Sequence, residues 1–140
     1  PQTIPSNYYD CQLSKNIKTE FINVQNKKKL EIIVKRFKPD FVFHLAAQSI
    51  VLKSFNEPIN TWHTNLIGTM NLLESLKKLT KKCAVVLVTS DKCYKNVETN
   101  KGNKETDVLG GIDPYRASKA SAEILINSYI KSFFNTLPNW

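Results

Sequence analysis

The sequence predicts an α/β fold, a doubly wound parallel sheet with helices on both faces. Two apolar runs, residues 41–47 and 83–89, have the composition of parallel strands that are covered on both sides. Segments with apolar residues at helical spacing lie between and after these runs, so strands and helices alternate along the chain. Such alternation is typical of a parallel sheet with right-handed crossover connections.

The elements before residue 40 are predicted to be a loop, a strand and a helix. Residues 1–17 are polar without a sustained period and predict a loop, whereas residues 18–24 predict a short strand. Residues 27–37 predict a helix that Pro39 ends. The apolar positions of this helix are Leu30, Ile33, Val34 and Phe37.

Two further helices are predicted beyond the first apolar run. One follows Pro58 and is expected to end near residues 81–82, because two lysines suit the negative end of a helix dipole. Its apolar stripe consists of Trp62, Leu66, Met70, Leu73 and Leu76. The other opens at Asp113, a capping residue, with Pro114 in its first turn. The polar stretch 91–112 before it is long, and long loops in compact domains are often functional.

Composition favours one cytoplasmic domain without nucleic-acid or membrane partners. The 140 residues suffice for one core, and no stretch approaches the apolar length of a membrane helix. The three cysteines, Cys11, Cys83 and Cys93, are too scattered for a disulfide framework or a zinc site. The net charge of +8 raises a nucleic-acid hypothesis, but only Arg36 and Arg116 are arginines, and no aromatic stacking pattern accompanies the lysines. A solvated lysine-rich surface is the preferred interpretation.

Several polar residues are predicted to meet at one edge of the sheet. Ligands of such folds bind outside the carboxyl ends of the strands, and polar residues follow both apolar runs there. Tyr115 and Lys119 lie one helical turn apart and share a face of the last helix. The candidate set is Gln48, Ser90, Asp91, Lys92, Tyr115 and Lys119.

These groups suit redox chemistry on a sugar alcohol. An ammonium beside a phenol favours the phenolate, so the pair of Tyr115 and Lys119 can accept a proton from a sugar hydroxyl. Ser90 can hold that hydroxyl in line. The neighbouring carboxylate and ammonium of Asp91 and Lys92 can then remove water across the next bond, once a ketone has formed.

The same residues also have plain structural interpretations. Tyr115 taken singly suits the capping region of a helix, and Lys119 an exposed helix surface. His44, inside an apolar strand, is more often a hydrogen-bonded core histidine than a ligand or base. Cys93 has no His or Asn pattern that would support a nucleophile. The pair of Asp91 and Lys92 is equally compatible with a surface turn, and Trp62 and Met70 with the core.

Three segments, Pro39 to Gln48, Thr64 to Thr69 and Tyr115 to Lys119, resemble the extended short-chain dehydrogenase/reductase family of nucleotide-sugar enzymes. Two more, residues 89–94 and 105–111, are similar to the CDP-glucose branch of its 4,6-dehydratases. The resemblance extends from about residue 18 onward. It implies a partial Rossmann-like doubly wound parallel sheet, NAD as cofactor and a nucleotide sugar as substrate.

The resemblance also implies roles for individual residues. Tyr115 is the base for oxidation at sugar C4, Lys119 binds the nicotinamide ribose, Ser90 and Gln48 contact the substrate, and Asp91 and Lys92 serve elimination across C5 and C6. The dTDP-glucose branch carries Asp-Glu at this pair, so Lys92 favours CDP-glucose. Asn23 stands where the family has an acidic contact to adenine. The implied NAD-binding residues are Asn23, Val24, Leu45, Ala46, Ala47, Thr64, Val88, Tyr115 and Lys119.

The chain is expected to be an internal fragment, residues 1–140, of an NAD-binding domain. None of its four glycines forms a Gly-rich phosphate turn, and the family's C-terminal substrate part is absent. The fragment alone is therefore expected to be inactive, and its full-length parent to be a homo-oligomeric lyase of deoxysugar biosynthesis. Two alternatives remain open: an epimerase or dehydratase of dTDP- or UDP-sugars, and a non-catalytic module that binds RNA or an acidic partner.

Overall fold

The computed structural model describes residues 5–98 and 101–135. The helices and strands are α1 (Asn7–Asp10), α2 (Lys27–Phe37), β1 (Phe41–His44), α3 (Val51–Asn56), α4 (Pro58–Trp62), α5 (Gly68–Leu76), β2 (Ala84–Leu87) and α6 (Pro114–Tyr129). Short 3-10 turns span Leu13–Lys15 and Asp91–Cys93. Single π-helical turns span His63–Ile67 and Ile130–Phe134.

Helices α2 and α6 each begin at a residue whose side chain caps the helix, and the cap at Asp113 is the one that the sequence predicted. The side chain of Asn26 accepts a hydrogen bond of 3.1 Å from the backbone N–H of Lys29 at the start of α2. The side chain of Asp113 accepts one of 2.9 Å from the N–H of Arg116 at the start of α6. Both predicted helices are confirmed.

Strands β1 and β2 are parallel neighbours, and Phe41 pairs with Ala84 at the start of the register. The ladder continues beyond the strands, because the N–H of Val88 donates a 3.1 Å hydrogen bond to the carbonyl of His44. The connection between them contains α3, α4 and α5. The predicted α/β class with a helical crossover between parallel strands is confirmed.

The core of the described residues lies on one face of this two-stranded sheet. Val42, Val85 and Leu87 contact a cluster contributed mainly by α2 and α5. The cluster consists of Leu30, Val34, Leu72, Leu73, Leu76, Leu79, Cys83 and Phe134. No helix in the described part of the chain is long and apolar enough to cross a membrane.

The expectation that β1 is covered on both faces is wrong for the residues that the structure describes. Successive side chains of a strand point to opposite faces, so Phe41 and Phe43 turn away from the core. They are 69% and 64% exposed, and Val86 on β2 is 47% exposed. The described helices that contribute to the core pack on the opposite face, with Val42, Val85 and Leu87.

The strand predicted at residues 18–24 is also wrong. Residues 18–23 have no regular secondary structure, Val24 lies in a turn, and Phe21 is 75% exposed. A strand exists only where a neighbour completes its hydrogen-bond ladder, and the sheet of the described residues contains β1 and β2 alone. In the predicted loop 1–17, residues 1–4 lie outside the described part, and the remainder contains α1 and a 3-10 turn.

The helix predicted after Pro58 begins there but ends earlier than expected. Helices α4 and α5 and the π-helical turn between them form one continuous helix, and its last residue is Leu76 rather than the lysine pair 81–82. The N–H of Leu79 returns to the carbonyl of Leu76 in a turn that leads into β2. Helix α3 was not predicted, because it is short and its Leu52 and Phe55 are exposed rather than arranged in a buried stripe.

Candidate active site

The carboxyl edge of the sheet collects most of the predicted site residues. Leu45 follows β1 and Val88 follows β2. The hydrogen bond from the N–H of Val88 to the carbonyl of His44 holds the segments that leave the two strands side by side. The turn Asp91–Cys93 packs against α6, the helix that carries Tyr115. The structure therefore places the end of β2 next to the helix of the Tyr-Lys motif, as predicted.

Asn65 joins the exit of β1 to α6. Its side-chain carbonyl accepts a 2.8 Å hydrogen bond from the N–H of Gln48, and its amide donates a 3.0 Å bond to the carbonyl of Gln48. The same amide donates a 2.9 Å bond to the hydroxyl of Ser118. Asn65 is 1% exposed, and both N–H groups of its side-chain amide donate hydrogen bonds. It therefore fixes the segment after β1 to α6.

Ser118 carries this connection to the Tyr-Lys motif. It is fully buried, and its hydroxyl donates a 2.7 Å hydrogen bond to the backbone carbonyl of Tyr115. Tyr115 is 7% exposed and Lys119 6% exposed. Burial lowers the pKa of Lys119, whereas the carboxylate of Glu123 raises it. The helix thus holds a phenol and an ammonium in a largely desolvated position.

Ser90, Asp91 and Lys92 form a compact turn directly after the end of β2. The hydroxyl of Ser90 accepts a 3.2 Å hydrogen bond from the N–H of Lys92 and donates one of 3.2 Å to the carboxylate of Asp91. The side chains of Asp91 and Lys92 are exposed. Both line a cavity of about 230 Å³. Its other described lining residues are Tyr94, Lys95, Asn96, Val97, Glu98, Lys101, Asn103 and Arg116.

His44 has the structural role that its position in an apolar strand suggests. The hydroxyl of Thr69 donates a 2.7 Å hydrogen bond to the carbonyl of Asn65, so the ring Nε2 of His44, 3.0 Å away, is assigned as the donor to Thr69. Burial, together with the charge of Lys119, lowers the pKa of His44. A neutral imidazole beside the buried ammonium results.

Gln48 and Cys93 are both buried. The amide of Gln48 donates 2.9 Å and 3.1 Å bonds to Thr61 and to the carbonyl of Ile50, and its carbonyl accepts a 2.7 Å bond from the N–H of Ile50. Gln48 therefore holds the loop after β1 in place, and its substrate contact stays a prediction.

Burial raises the pKa of the Cys93 thiol, which opposes formation of a nucleophilic thiolate.

Three of the predicted NAD-binding residues form a second group around Gln25. The side-chain carbonyl of Asn23 accepts a 2.9 Å bond from the N–H of Gln25, and the Gln25 amide donates a 2.8 Å bond to Thr64. The absence of a side chain at Gly68 lets α5 approach Val24 closely, because a Cβ there would lie 2.7 Å from Val24 Cγ2. Asn23, Val24 and Thr64 are thus brought together, through contacts separate from those of the Tyr-Lys motif.

Apolar side chains are exposed where NAD is expected to lie. Leu45 is 68% exposed and Val88 is 49% exposed, and the side chains of Ala46 and Ala47 are small. Exposed apolar side chains suit a nicotinamide ring, and the ammonium of Lys119, which acts on the neighbouring His44, suits the hydroxyls of its ribose. The residues present therefore fit the cofactor that the sequence predicts.

Three residues that organise the site were missed in the sequence. Asn65 lies in the quoted segment Thr64 to Thr69, and Ser118 lies inside the Tyr-Lys motif, but their contact joins positions 53 residues apart. Glu123 follows Lys119 by four residues. Only Glu123 had a local signal, because that spacing places a carboxylate and an ammonium on one helix face.

Solved structures with the same fold include nucleotide-sugar epimerases. UDP-glucose 4-epimerase from Thermotoga maritima has a TM-score of 0.76 and 28% identity, over 86% of this chain and 39% of that one. UDP-glucose 4-epimerase from Thermus thermophilus, solved with NAD, has a TM-score of 0.70 and 29% identity, over 86% and 40%. The fold is therefore the expected partial Rossmann-like one.

Residues 3–136 match the family model of GDP-mannose 4,6 dehydratase, and the chain belongs to this family. CDP-glucose 4,6-dehydratase of Salmonella typhimurium is 41% identical over 133 residues, 95% of this chain and 37% of the relative. The dTDP-D-glucose 4,6-dehydratase of Dictyostelium discoideum is 36% identical over 121 residues, 79% of this chain and 28% of the relative. The chain spans 37% of the length of the first relative and 28% of the length of the second. The expected family of nucleotide-sugar dehydratases and epimerases is confirmed.

Proposed function

We propose that the full-length protein is an NAD-dependent nucleotide-sugar 4,6-dehydratase that acts on CDP-glucose. The observation that carries this proposal is the exposed pair of Asp91 and Lys92 in the Ser90 turn, packed against the helix of Tyr115 and Lys119. An alcohol oxidation alone has no use for this second acid–base pair. The 41% identity with the Salmonella CDP-glucose 4,6-dehydratase supports the same reaction.

Tyr115 and Lys119 carry the first proton transfer in this proposal. The phenolate oxygen of Tyr115 takes the proton of the sugar C4 hydroxyl as that carbon is oxidised, and the Lys119 ammonium stabilises the phenolate. Both side chains are largely buried, so their mutual attraction is screened less than it would be in water. The Ser90 hydroxyl orients the C4 hydroxyl by a hydrogen bond.

Asp91 and Lys92 carry the second stage, the loss of water. Oxidation at C4 acidifies the proton at C5, and removal of that proton with departure of the C6 hydroxyl forms a double bond between C5 and C6. A carboxylate and an ammonium at adjacent positions are suited to taking the one proton and giving the other. Their exposure leaves both within reach of a sugar in the neighbouring cavity.

The cofactor and the charge of the substrate also fit this reaction. NAD, when bound, supplies an acceptor for the C4 hydride and returns it to C6. Lys119, Leu45 and Val88 would hold its nicotinamide end, and Asn23, Val24 and Thr64 its adenosine end. The cationic side chains Lys92, Lys95 and Arg116 line the cavity and favour a substrate that carries phosphate.

Product analysis tests the proposal against a specific second candidate. Two similar solved structures are UDP-glucose 4-epimerases, at 28% and 29% identity, so epimerisation at C4 is the competing reaction. Incubation of the full-length protein with NAD and CDP-glucose should yield CDP-4-keto-6-deoxyglucose. Formation of the C4 epimer as the only product would reject the dehydratase. Parallel incubations with dTDP-glucose and UDP-glucose test the nucleotide, and faster turnover of either would reject CDP-glucose.

A further inference from the structure

A carboxylate connects the end of β2 to α6. Glu123 lies on α6 and is half-buried, and Thr89 is the residue directly before Ser90. The hydroxyl of Thr89 donates a hydrogen bond to Oε1 of Glu123. A bond to a charged acceptor is stronger than one between neutral groups. The position of the Ser90 turn relative to the helix of Tyr115 therefore depends in part on this contact.

The same carboxylate lies one helical turn beyond Lys119. An ammonium that is 6% exposed has lost most of its hydration, so it needs a nearby negative charge to stay protonated. Glu123, on the same helix, raises the pKa of Lys119, and His44 on β1 is close enough for the charge of Lys119 to lower its pKa. Tyr115 precedes Lys119 by one helical turn. His44 is held neutral, so it adds no positive charge beside Lys119.

We propose that Glu123 is a positioning residue, which fixes the Ser90 turn against α6 through Thr89 and supplies a negative charge one helical turn from the buried ammonium of Lys119. The inference rests on the proposed function for its catalytic meaning. It assigns no contact with substrate to Glu123. Water screens a pair of exposed charges at this helical spacing, whereas the burial of Lys119 strengthens its interaction with Glu123.

The charge is tested by Glu123→Gln in the full-length protein. The glutamine retains an oxygen that accepts from Thr89 but loses the charge. Competitive trace labelling with acetic anhydride over a pH series, resolved by mass spectrometry, gives the midpoint at which Lys119 loses its proton. We expect this midpoint to move to lower pH in Glu123→Gln. The matched control Glu31→Gln removes a glutamate that pairs with Lys78 on the surface and should leave Lys119 unchanged.

The hydrogen bond is tested by Thr89→Val and Thr89→Ser. Valine has nearly the same shape without a donor, so Thr89→Val should lower kcat for the sugar nucleotide by about tenfold to a hundredfold through misplacement of Ser90. Thr89→Ser keeps the donor and should restore most of the turnover. An unchanged Lys119 midpoint in Glu123→Gln would overturn the electrostatic part of the proposal, and equal kcat values for the two Thr89 variants would overturn the positioning part.

The labelling measurement separates this inference from the proposed function. It reports the protonation of Lys119 whether or not CDP-glucose is converted. Failure of the wild-type protein to dehydrate any nucleotide sugar would reject the proposed reaction, and a shifted Lys119 midpoint would still support the electrostatic part of the role of Glu123. An unshifted midpoint in an active dehydratase would reject that part alone.

Discussion

The side-chain amide of Asn65 donates a 2.9 Å hydrogen bond to the hydroxyl of Ser118, and both residues are almost completely buried. The same amide holds the backbone of Gln48 at the exit of β1. These bonds fix three segments to one another that are distant in sequence. They are residues 45–48, α6 and the helix that contains Asn65. The site is organised by this buried contact as much as by the residues assigned to its chemistry.

Asn65→Ala should lower the free energy of unfolding by about 3 kcal/mol, because it leaves the N–H and carbonyl of Gln48 and the Ser118 hydroxyl without their partner. Urea denaturation of the full-length protein measures the loss. Asn127→Ala, at an exposed position on α6, is the matched control and should change stability by less than about 0.5 kcal/mol. Equal values for the two variants would contradict the structural role of Asn65.

Gly111→Ala should destabilise the loop that leads into α6. A Cβ at Gly111 would lie 2.4 Å from the backbone nitrogen of Ala117, so the loop must move away from the helix. Overpacking of this kind costs about 1–3 kcal/mol, measurable by thermal or urea unfolding. Gly102→Ala is the matched control, because nothing lies within 4 Å of a Cβ there. A loss for Gly102→Ala as large as that for Gly111→Ala would contradict this account of the loop.

His44 should make the stability of the protein depend on pH. Burial, with the charge of Lys119, lowers its pKa in the folded state below the ordinary value of 6.5. The folded state then binds fewer protons than the unfolded state, so stability is complete above that value and falls as the pH drops through the folded-state pKa. His44→Gln should show a shallower loss of unfolding free energy from about pH 7 to about pH 5.

Urea unfolding at a series of pH values compares the His44→Gln variant with the wild-type protein. The matched control is His63→Gln, because His63 is exposed on the π-helical turn. That variant should follow the pH dependence of the wild-type protein. A wild-type slope that persists in His44→Gln would show that other groups, such as the paired carboxylates, account for the whole dependence.

Lys92→Ala should separate the two stages of the proposed reaction. Oxidation at C4 depends on Tyr115 and Lys119 and should continue, whereas elimination should slow by about a hundredfold because one partner of the acid–base pair is lost. Rapid quenching, with mass spectrometry of the 4-keto and 6-deoxy species, measures each stage. Lys53→Ala replaces an exposed lysine outside the site and should behave as the wild type. Equal slowing of both stages would contradict the role given to Lys92.

The long helices could be predicted because their signals are local. Apolar residues at helical spacing and Pro39 indicate α2, and the cap Asp113 with Pro114 indicates the start of α6, so short segments of sequence contain the information. The strand at 18–24 could not be judged in this way. Its apolar residues are compatible with a strand, but a strand needs a neighbour, and local sequence does not reveal whether one is present.

In the candidate site, too, some features could be predicted from the sequence and others could not. The positions of Ser90, Tyr115 and Lys119 followed from the rule that ligands bind at the carboxyl edge of a parallel sheet. The bond between Asn65 and Ser118 joins residues from two separate helices, so no periodicity in the sequence indicates it. The exposed face of Phe41 and Phe43 was missed because an apolar run is expected to be covered on both sides.

Transfer of the C4 hydrogen tests the central claim most directly. CDP-glucose that carries deuterium at C4 is incubated with the full-length protein and NAD, and the product is analysed by NMR and mass spectrometry. A 4,6-dehydratase that uses the groups described here should give a 4-keto-6-deoxy sugar with the deuterium at C6. A product that retains the C6 hydroxyl and carries the deuterium at C4 would contradict the account.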